Sequence, residues 1–200
     1  MLAAAMASSP LLLAGLVLLL LHLSGSSSVA VVAQAHTLDS HNNKSAAPLV
    51  QSTCNSTSFY DLCVASLAAD PSSSTADVPG LCAIAVSAAA ANASGTASFL
   101  SAAATTPEAD RALLRACAAK YAQAREALLA TKASLSQQAY DYAFVHASAA
   151  AEYPAVCRTL FRRQRPAKAY PAEVAKREEG LRRLCTVALD IISLLLQPQG

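Results

Sequence analysis

Residues 106–128 read TPEADRALLRACAAKYAQAREAL, and this stretch decides the fold. Thr106 is a favourable helix cap, and Pro107 suits the first helical position, where its missing N–H costs no hydrogen bond. Behind that start, Leu113, Cys117, Tyr121, Ala124 and Leu128 recur every three or four residues. That spacing puts all five on one side of an α-helix and predicts a buried stripe.

The same pattern extends in both directions. A helix is predicted over 76–104, with Asp77 and Pro79 in its opening turn. The central helix is predicted to end near Lys132, with a turn over 134–136. A third helix is predicted over 137–151, after which Pro154 either kinks it or opens a further short turn through Phe161. Residues 162–170 are basic and proline-containing, and read as a loop. Pro171 opens a last helix whose face is Val174, Leu181, Leu184, Ala188, Ile192 and Leu195. Upstream, 49–55 and 58–69 read as two short helices broken near Thr57, with Asp70-Pro71 as a stop and 72–74 as a loop. The fold class expected is all-α: an up-down four-helix bundle preceded by a disulfide-stapled N-terminal helical hairpin.

Composition agrees. The chain is 54% hydrophobic with much of that alanine, has no Trp and is only 14% charged. Alanine lowers the cost of helix formation and lets helices approach closely. A net charge of +2 without a basic stripe interleaved with aromatics excludes nucleic acid as a partner.

The N-terminus reads differently. Residues 11–21 form an apolar run too short for a comfortable membrane span but suited to a signal-peptide core. Ala33-Gln34-Ala35 matches the small-x-small cleavage pattern, so residues 1–35 are expected to be a signal peptide. Residues 36–48 follow as a flexible polar leader, 49–196 as the helical domain and 197–200 as a tail. The mature protein is expected to be secreted and to have no membrane segment after cleavage. Export makes the N-x-S/T sequons at Asn43, Asn55 and Asn92 meaningful as glycosylation sites, Asn43 being the most accessible.

An oxidising compartment also permits disulfides. Six cysteines allow fifteen complete pairings. Cys54 and Cys63 would lie about 13 Å apart along one straight helix, whereas a bridge needs Cα atoms within about 7 Å. The chain must therefore reverse between them, and their midpoint falls at the break near Thr57. Cys117 and Cys157 have their midpoint at residue 137, beside the predicted turn, so an antiparallel hairpin brings them level. Reflecting Cys82 through the three turns puts it near residue 192, about 10 Å from Cys185 along the axis. Cys82 and Cys185 are expected to be free, buried thiols.

Nothing in the chain reads as a catalytic or metal centre. No cysteine pair has C-x-x-C spacing, and no G-x-S-x-G element exists. His146 reads as a surface or partly buried helical histidine. No cofactor or metal is expected. Such a body acts through its surface.

Ser52-Thr53-Cys54 with Phe59-Tyr60-Asp61-Leu62-Cys63, the run from Ala116 through Cys117 to Ala122, Ala147-Ser148-Ala149-Ala150 followed by Cys157 and Phe161, and Leu184-Cys185-Thr186-Val187-Ala188-Leu189 are recognisable together. Over residues 49–196 the chain resembles the plant pectin methylesterase inhibitor and invertase inhibitor family. The resemblance implies the same two bridges that geometry prefers, and a free cysteine in the last helix. It implies a non-enzyme that docks on its target, as a monomer in a one-to-one complex, in the extracellular space of the cell wall. The leading expectation is an inhibitor of pectin methylesterase that occludes the pectin-binding cleft. The alternative is an inhibitor of cell-wall or vacuolar invertase, for which the family's Pro-Lys-Phe motif is absent here. A third reading is a non-inhibitory glycoprotein that binds pectin through Arg162, Arg163, Arg165 and Lys168. Where some pectin-enzyme inhibitors carry threonine before the last bridging cysteine and acidic residues after it, this chain has Val156, Arg158 and Thr159. The partner interface is therefore expected among polar positions of the second and third bundle helices, namely Gln123, Glu126, Thr131, Gln138 and Asp141.

Overall fold

The computed structural model describes residues 47–102 and 108–197. The signal peptide expected over 1–35, nearly all of the polar leader, the Asn43 sequon, the Thr106-Pro107 cap and the end of the tail lie outside the described residues.

Two short helices, α1 (Pro48–Asn55) and α2 (Tyr60–Ala68), come first. At the end of α1 the backbone N–H of Thr57 donates to Cys54 O at 2.9 Å, and its hydroxyl donates to the same oxygen at 2.8 Å. These bonds satisfy a carbonyl that the helix end leaves without a partner. The chain then reverses, and Cys54 is bonded to Cys63 with their Cα atoms 5.5 Å apart. A 3₁₀ turn (Pro71–Ser74) leads into α3 (Val78–Ser101), where Asp77 Oδ1 accepts from the Gly80 N–H at 2.9 Å and caps the helix.

Helices α4 (Glu108–Ser136), α5 (Tyr140–Arg162) and α6 (Ala172–Leu196) complete the bundle. Several helix boundaries differ from the sequence reading. Helix α4 continues past Lys132 because Leu135 extends the buried stripe of Leu128 and Thr131. Helix α5 runs unbroken through Pro154, which is itself buried. Ala143, Ala147, Ala150, Pro154, Cys157 and Phe161 form one buried stripe at spacings of four and three. Packing and the bridge downstream of Pro154 outweigh the single backbone hydrogen bond that proline removes.

In the bundle α4 packs on α3 and α5, and α6 packs on the same two neighbours, closing a four-helix arrangement. Leu81, Leu100, Tyr121, Leu128, Leu181, Ile191 and Ile192 are its largest fully buried side chains. Each buried leucine or isoleucine contributes about 1.5–3 kcal/mol of transfer free energy. Ala85, Ala89 and Ala93 of α3 and Ala143, Ala147 and Ala150 of α5 line the contacts, which permits close helix approach. Cys117 of α4 is bonded to Cys157 of α5, with Cα atoms 4.9 Å apart. Cys82 and Cys185 are free and buried. Cys82 Sγ lies 3.9 Å from Ala188 O, so its level on α6 is nearer Cys185 than reflection through the turns suggests. Each turn adds its own offset, and three offsets accumulate.

The α1–α2 hairpin rests on α3 and α6. The Ser58 N–H donates to Asp190 Oδ2 at 2.7 Å, and the Arg183 guanidinium stacks 5.4 Å from the Phe59 ring centre. The hairpin thus covers one flank of the bundle, and the outer sides of α4 and α5 are left to solvent.

Candidate functional site

The interface residues expected from sequence separate into two groups. Gln123, Glu126, Gln138 and Asp141 are exposed. Gln123 Oε1 accepts from Lys120 Nζ at 2.9 Å, and Glu126 pairs with Arg125. Thr131 is a correction. Its side chain is 0% exposed, and its hydroxyl donates to Ala127 O at 3.0 Å. The residue lies on the core stripe of α4, so it has no route to a partner.

Gln138 closes α4 in an unusual way. Its φ is 57°, the only positive φ of a non-glycine among the described residues. The Gln138 N–H donates to Leu135 O at 3.0 Å and the Ala139 N–H to Ser134 O at 2.9 Å. This is the bond pattern of a left-handed helix stop that glycine normally occupies. A side chain with a Cβ costs about 1–2 kcal/mol in that conformation. This left-handed stop is also the reason α5 starts at Tyr140 rather than at Gln137.

Helix α5 carries a feature that the sequence reading missed. Tyr142 is 68% exposed and Val145 61%, and Val156 further along is 38% exposed. With half-buried Ala149 they recur at spacings of three, four and seven, forming an apolar stripe outside the buried one. Assigning α5's core stripe first and then asking which apolar residues remain would have found it. Phe144, also exposed, lies on the other flank. An apolar stripe flanked by polar residues is what a protein partner covers.

The basic loop is tied down rather than free. Lys168 forms an ion pair with Asp110, and its N–H reaches Phe161 O at 3.4 Å. The Tyr170 ring packs edge-on to Phe161 with centres 5.3 Å apart, and its hydroxyl donates to Glu178 Oε2 at 2.7 Å. Arg158 donates to Glu178 Oε1 at 3.2 Å and lies 4.8 Å from the Tyr170 ring centre. Burial, and then the Glu178 carboxylate, push the Tyr170 phenol well above its ordinary range, so it remains a donor. Of the four cations in the direct pectin-binding reading, Lys168 is therefore committed to Asp110.

On the outer side of α6, hydrogen bonds from Arg182 and Arg183 hold the exposed Glu179 carboxyl down to about 2. His146 is half-buried on α5. Among the described residues no group of three His, Cys, Asp or Glu side chains is placed to hold a metal. Of the two described sequons, Asn55 is exposed at the end of α1, whereas Asn92 is half-buried within α3.

Comparison with known proteins agrees with this surface-acting architecture. Residues 48–191 match the family model described as plant invertase/pectin methylesterase inhibitor. Pectinesterase inhibitor 28 of Oryza sativa subsp. japonica is 62% identical over 160 residues, covering 75% of this chain and 70% of that protein. Cell wall / vacuolar inhibitor of fructosidase 2 of Arabidopsis thaliana is 38% identical over 183 residues, covering 90% of this chain and 96% of that one. Among solved structures, a crystal structure of a mutant form of a pectin methylesterase inhibitor from Arabidopsis shares the fold with a TM-score of 0.56 and 20% identity, over 70% of this chain and 93% of the other. The chain belongs to the plant invertase/pectin methylesterase inhibitor family, whose members are enzyme inhibitors rather than enzymes.

Proposed function

We propose that this protein is a secreted inhibitor of pectin methylesterase that occludes the enzyme's pectin-binding cleft. The mature chain, released by cleavage after Ala35, acts as a monomer in a one-to-one complex in the cell wall, with Asn43 and Asn55 available for glycosylation. The observation that carries the choice of target is the 62% identity to a rice pectinesterase inhibitor, against 38% to the fructosidase inhibitor. The contact surface is the free side of α4 and α5. There Tyr142 and Val145 supply apolar area, and Gln123, Glu126, Gln138 and Asp141 supply a polar rim.

The fructosidase relative matches nearly the whole of both chains, which keeps invertase as the second target to be tested. The mature protein is titrated against a plant pectin methylesterase and an acid invertase at the pH of the cell wall. The proposal expects stoichiometric loss of methylesterase activity and unchanged sucrose hydrolysis. Loss of sucrose hydrolysis alone transfers the function to invertase. Loss of neither, with retention on a demethylated pectin column, moves it to polysaccharide binding.

A further inference from the structure

The cations of this chain are not spread evenly. Five of its 15 lysines and arginines lie within residues 158–168, a stretch without Asp or Glu. The rest of the chain sets 10 cations against 13 carboxylates. The basic character is therefore local, and it sits where α5 ends.

Within that stretch two cations are neutralised and three are not. Arg158 pairs with Glu178 and Lys168 with Asp110. Arg162, Arg163 and Arg165 are exposed, and among the described residues none of them pairs with a carboxylate. Arg162 Nη2 reaches only Thr159 Oγ1, at 3.5 Å. Elsewhere Arg125, Arg177, Arg182 and Arg183 each find a glutamate. A helix C-terminus attracts cations, but that attraction fades within the last turn. Arg162 is the last residue of α5, so the helix end accounts for it and for Arg163 but not for Arg165.

The backbone beneath these side chains is fixed. The Gln164 N–H donates to Phe161 O at 3.2 Å, and its side-chain amide donates to Leu160 O at 3.1 Å. With the Lys168 N–H on Phe161 O, the turn is closed on both sides of Arg165. A ligand here has side chains to order but no loop.

The planar guanidinium matches a carboxylate with paired hydrogen bonds. Each such pair is weak when exposed, so one carboxylate does not suffice, and a partner that presents carboxylates in series gains from their linkage. De-esterified pectin is a polymer of that kind. An acidic protein surface offers the same groups, but the proposed target is a poor source of them. A strongly acidic cleft would repel the carboxylates of the pectin it has to admit.

We propose that Arg162, Arg163 and Arg165 bind the carboxylates of de-esterified pectin. Arg163 lies seven residues beyond Val156 and continues the exposed face of α5, so the patch adjoins the surface assigned to the enzyme. Resting on the reading of this protein as a methylesterase inhibitor, the enzyme's product then holds the inhibitor where esters have been removed. The binding itself does not require that reading.

The test is retention of the secreted protein on immobilised polygalacturonate, with highly methyl-esterified pectin as the uncharged control and no enzyme present. The protein is expected to bind polygalacturonate at low salt, to pass through the esterified column, and to elute by about 1 M NaCl, where the Debye length is about 3 Å. Arg162→Gln/Arg163→Gln/Arg165→Gln should bind at least tenfold more weakly, with an unchanged melting curve and unchanged inhibition on highly esterified substrate. The corresponding triple lysine variant should keep most of the binding. Lys176→Gln/Arg182→Gln/Arg183→Gln removes as much charge from α6 and should bind like the parent. The proposal is overturned if esterified pectin retains the parent equally, or if the α6 variant loses as much as the loop variant. It is also overturned if the loop variant keeps its retention and loses inhibition instead, which would turn the arginines toward the enzyme. Retention without any inhibition by the parent would remove the methylesterase reading and leave the polymer site standing.

Discussion

Replacing both Cys117 and Cys157 by alanine removes the bond between α4 and α5 across a sequence separation of 40. Closing a loop of that length restricts the unfolded chain by roughly 3.9 kcal/mol at 25 °C, on the chain-entropy account. The same arithmetic gives roughly 2.7 kcal/mol for the shorter loop closed by Cys54 and Cys63, whose separation is 9. Both pairs are fully buried, so loss of sulfur packing adds a similar small penalty to each and leaves their order unchanged. Natural domains are stable by about 5–15 kcal/mol, so the longer bridge is a large share of the total. For a domain of this size each kcal/mol moves the melting temperature by about 2–4 °C. The Cys117→Ala/Cys157→Ala protein should melt about 8–16 °C below the parent, and the Cys54→Ala/Cys63→Ala protein about 5–11 °C below it. Far-UV circular dichroism melts of the three proteins, without reductant, provide the measurement. The reasoning is refuted if the two variants melt in the opposite order, or if the first melts within about 2 °C of the parent.

Three other outcomes follow from particular residues. Gln138→Gly relieves a left-handed residue and should stabilise the protein by about 1 kcal/mol in chemical denaturation; reduced inhibition alongside that gain would mark the Gln138 side chain as a contact. Tyr142→Ala should weaken inhibition about 30-fold, the cost of losing an aromatic anchor of about 2 kcal/mol, with an unchanged melting curve; a smaller loss than that of Phe144→Ala would move the contact to the other flank of α5. Burial pushes the Cys82 and Cys185 thiols from an ordinary 9.0 up to about 12. The folded state thus holds the neutral thiol, so stability is unaffected by these groups below pH 9.0 and falls as pH rises from there toward 12. At neutral pH neither thiol should react with a disulfide reagent until the protein unfolds, and prompt labelling of either in the native state would contradict this.

The bundle was legible because its signals are local and repeated. Leu113, Cys117, Tyr121, Ala124 and Leu128 are all buried, as their spacing requires. The two bridges were legible because a cysteine pair must straddle a chain reversal, and only two breaks suited the spacings. Thr131 was misread because threonine is polar by composition but sits three residues after Leu128, on the core stripe, where its hydroxyl bonds back to Ala127 O and needs no solvent. Tyr142 and Val145 were overlooked for the opposite reason, since apolar side chains are assumed to be inside. Gln138 gave no warning, because a left-handed stop is normally signalled by glycine or asparagine.

The arrangement of restraints explains how a chain without catalytic groups can stop an enzyme. Binding costs the conformational freedom of whatever the partner must order, and a surface that is already fixed loses less. Here the Cys117–Cys157 bond fixes the register of α4 and α5, the two helices whose outer sides the hairpin leaves bare. At the far end of α5 the loop is held by Tyr170 on Glu178, Arg158 on the same carboxylate, and Lys168 on Asp110. At the near end, the bonds of Gln138 and Ala139 to Leu135 and Ser134 define the turn. Tyr142 and Val145 therefore stand on a helix restrained at its start, its middle and its end, so a partner that covers them, as proposed, would find little left to order.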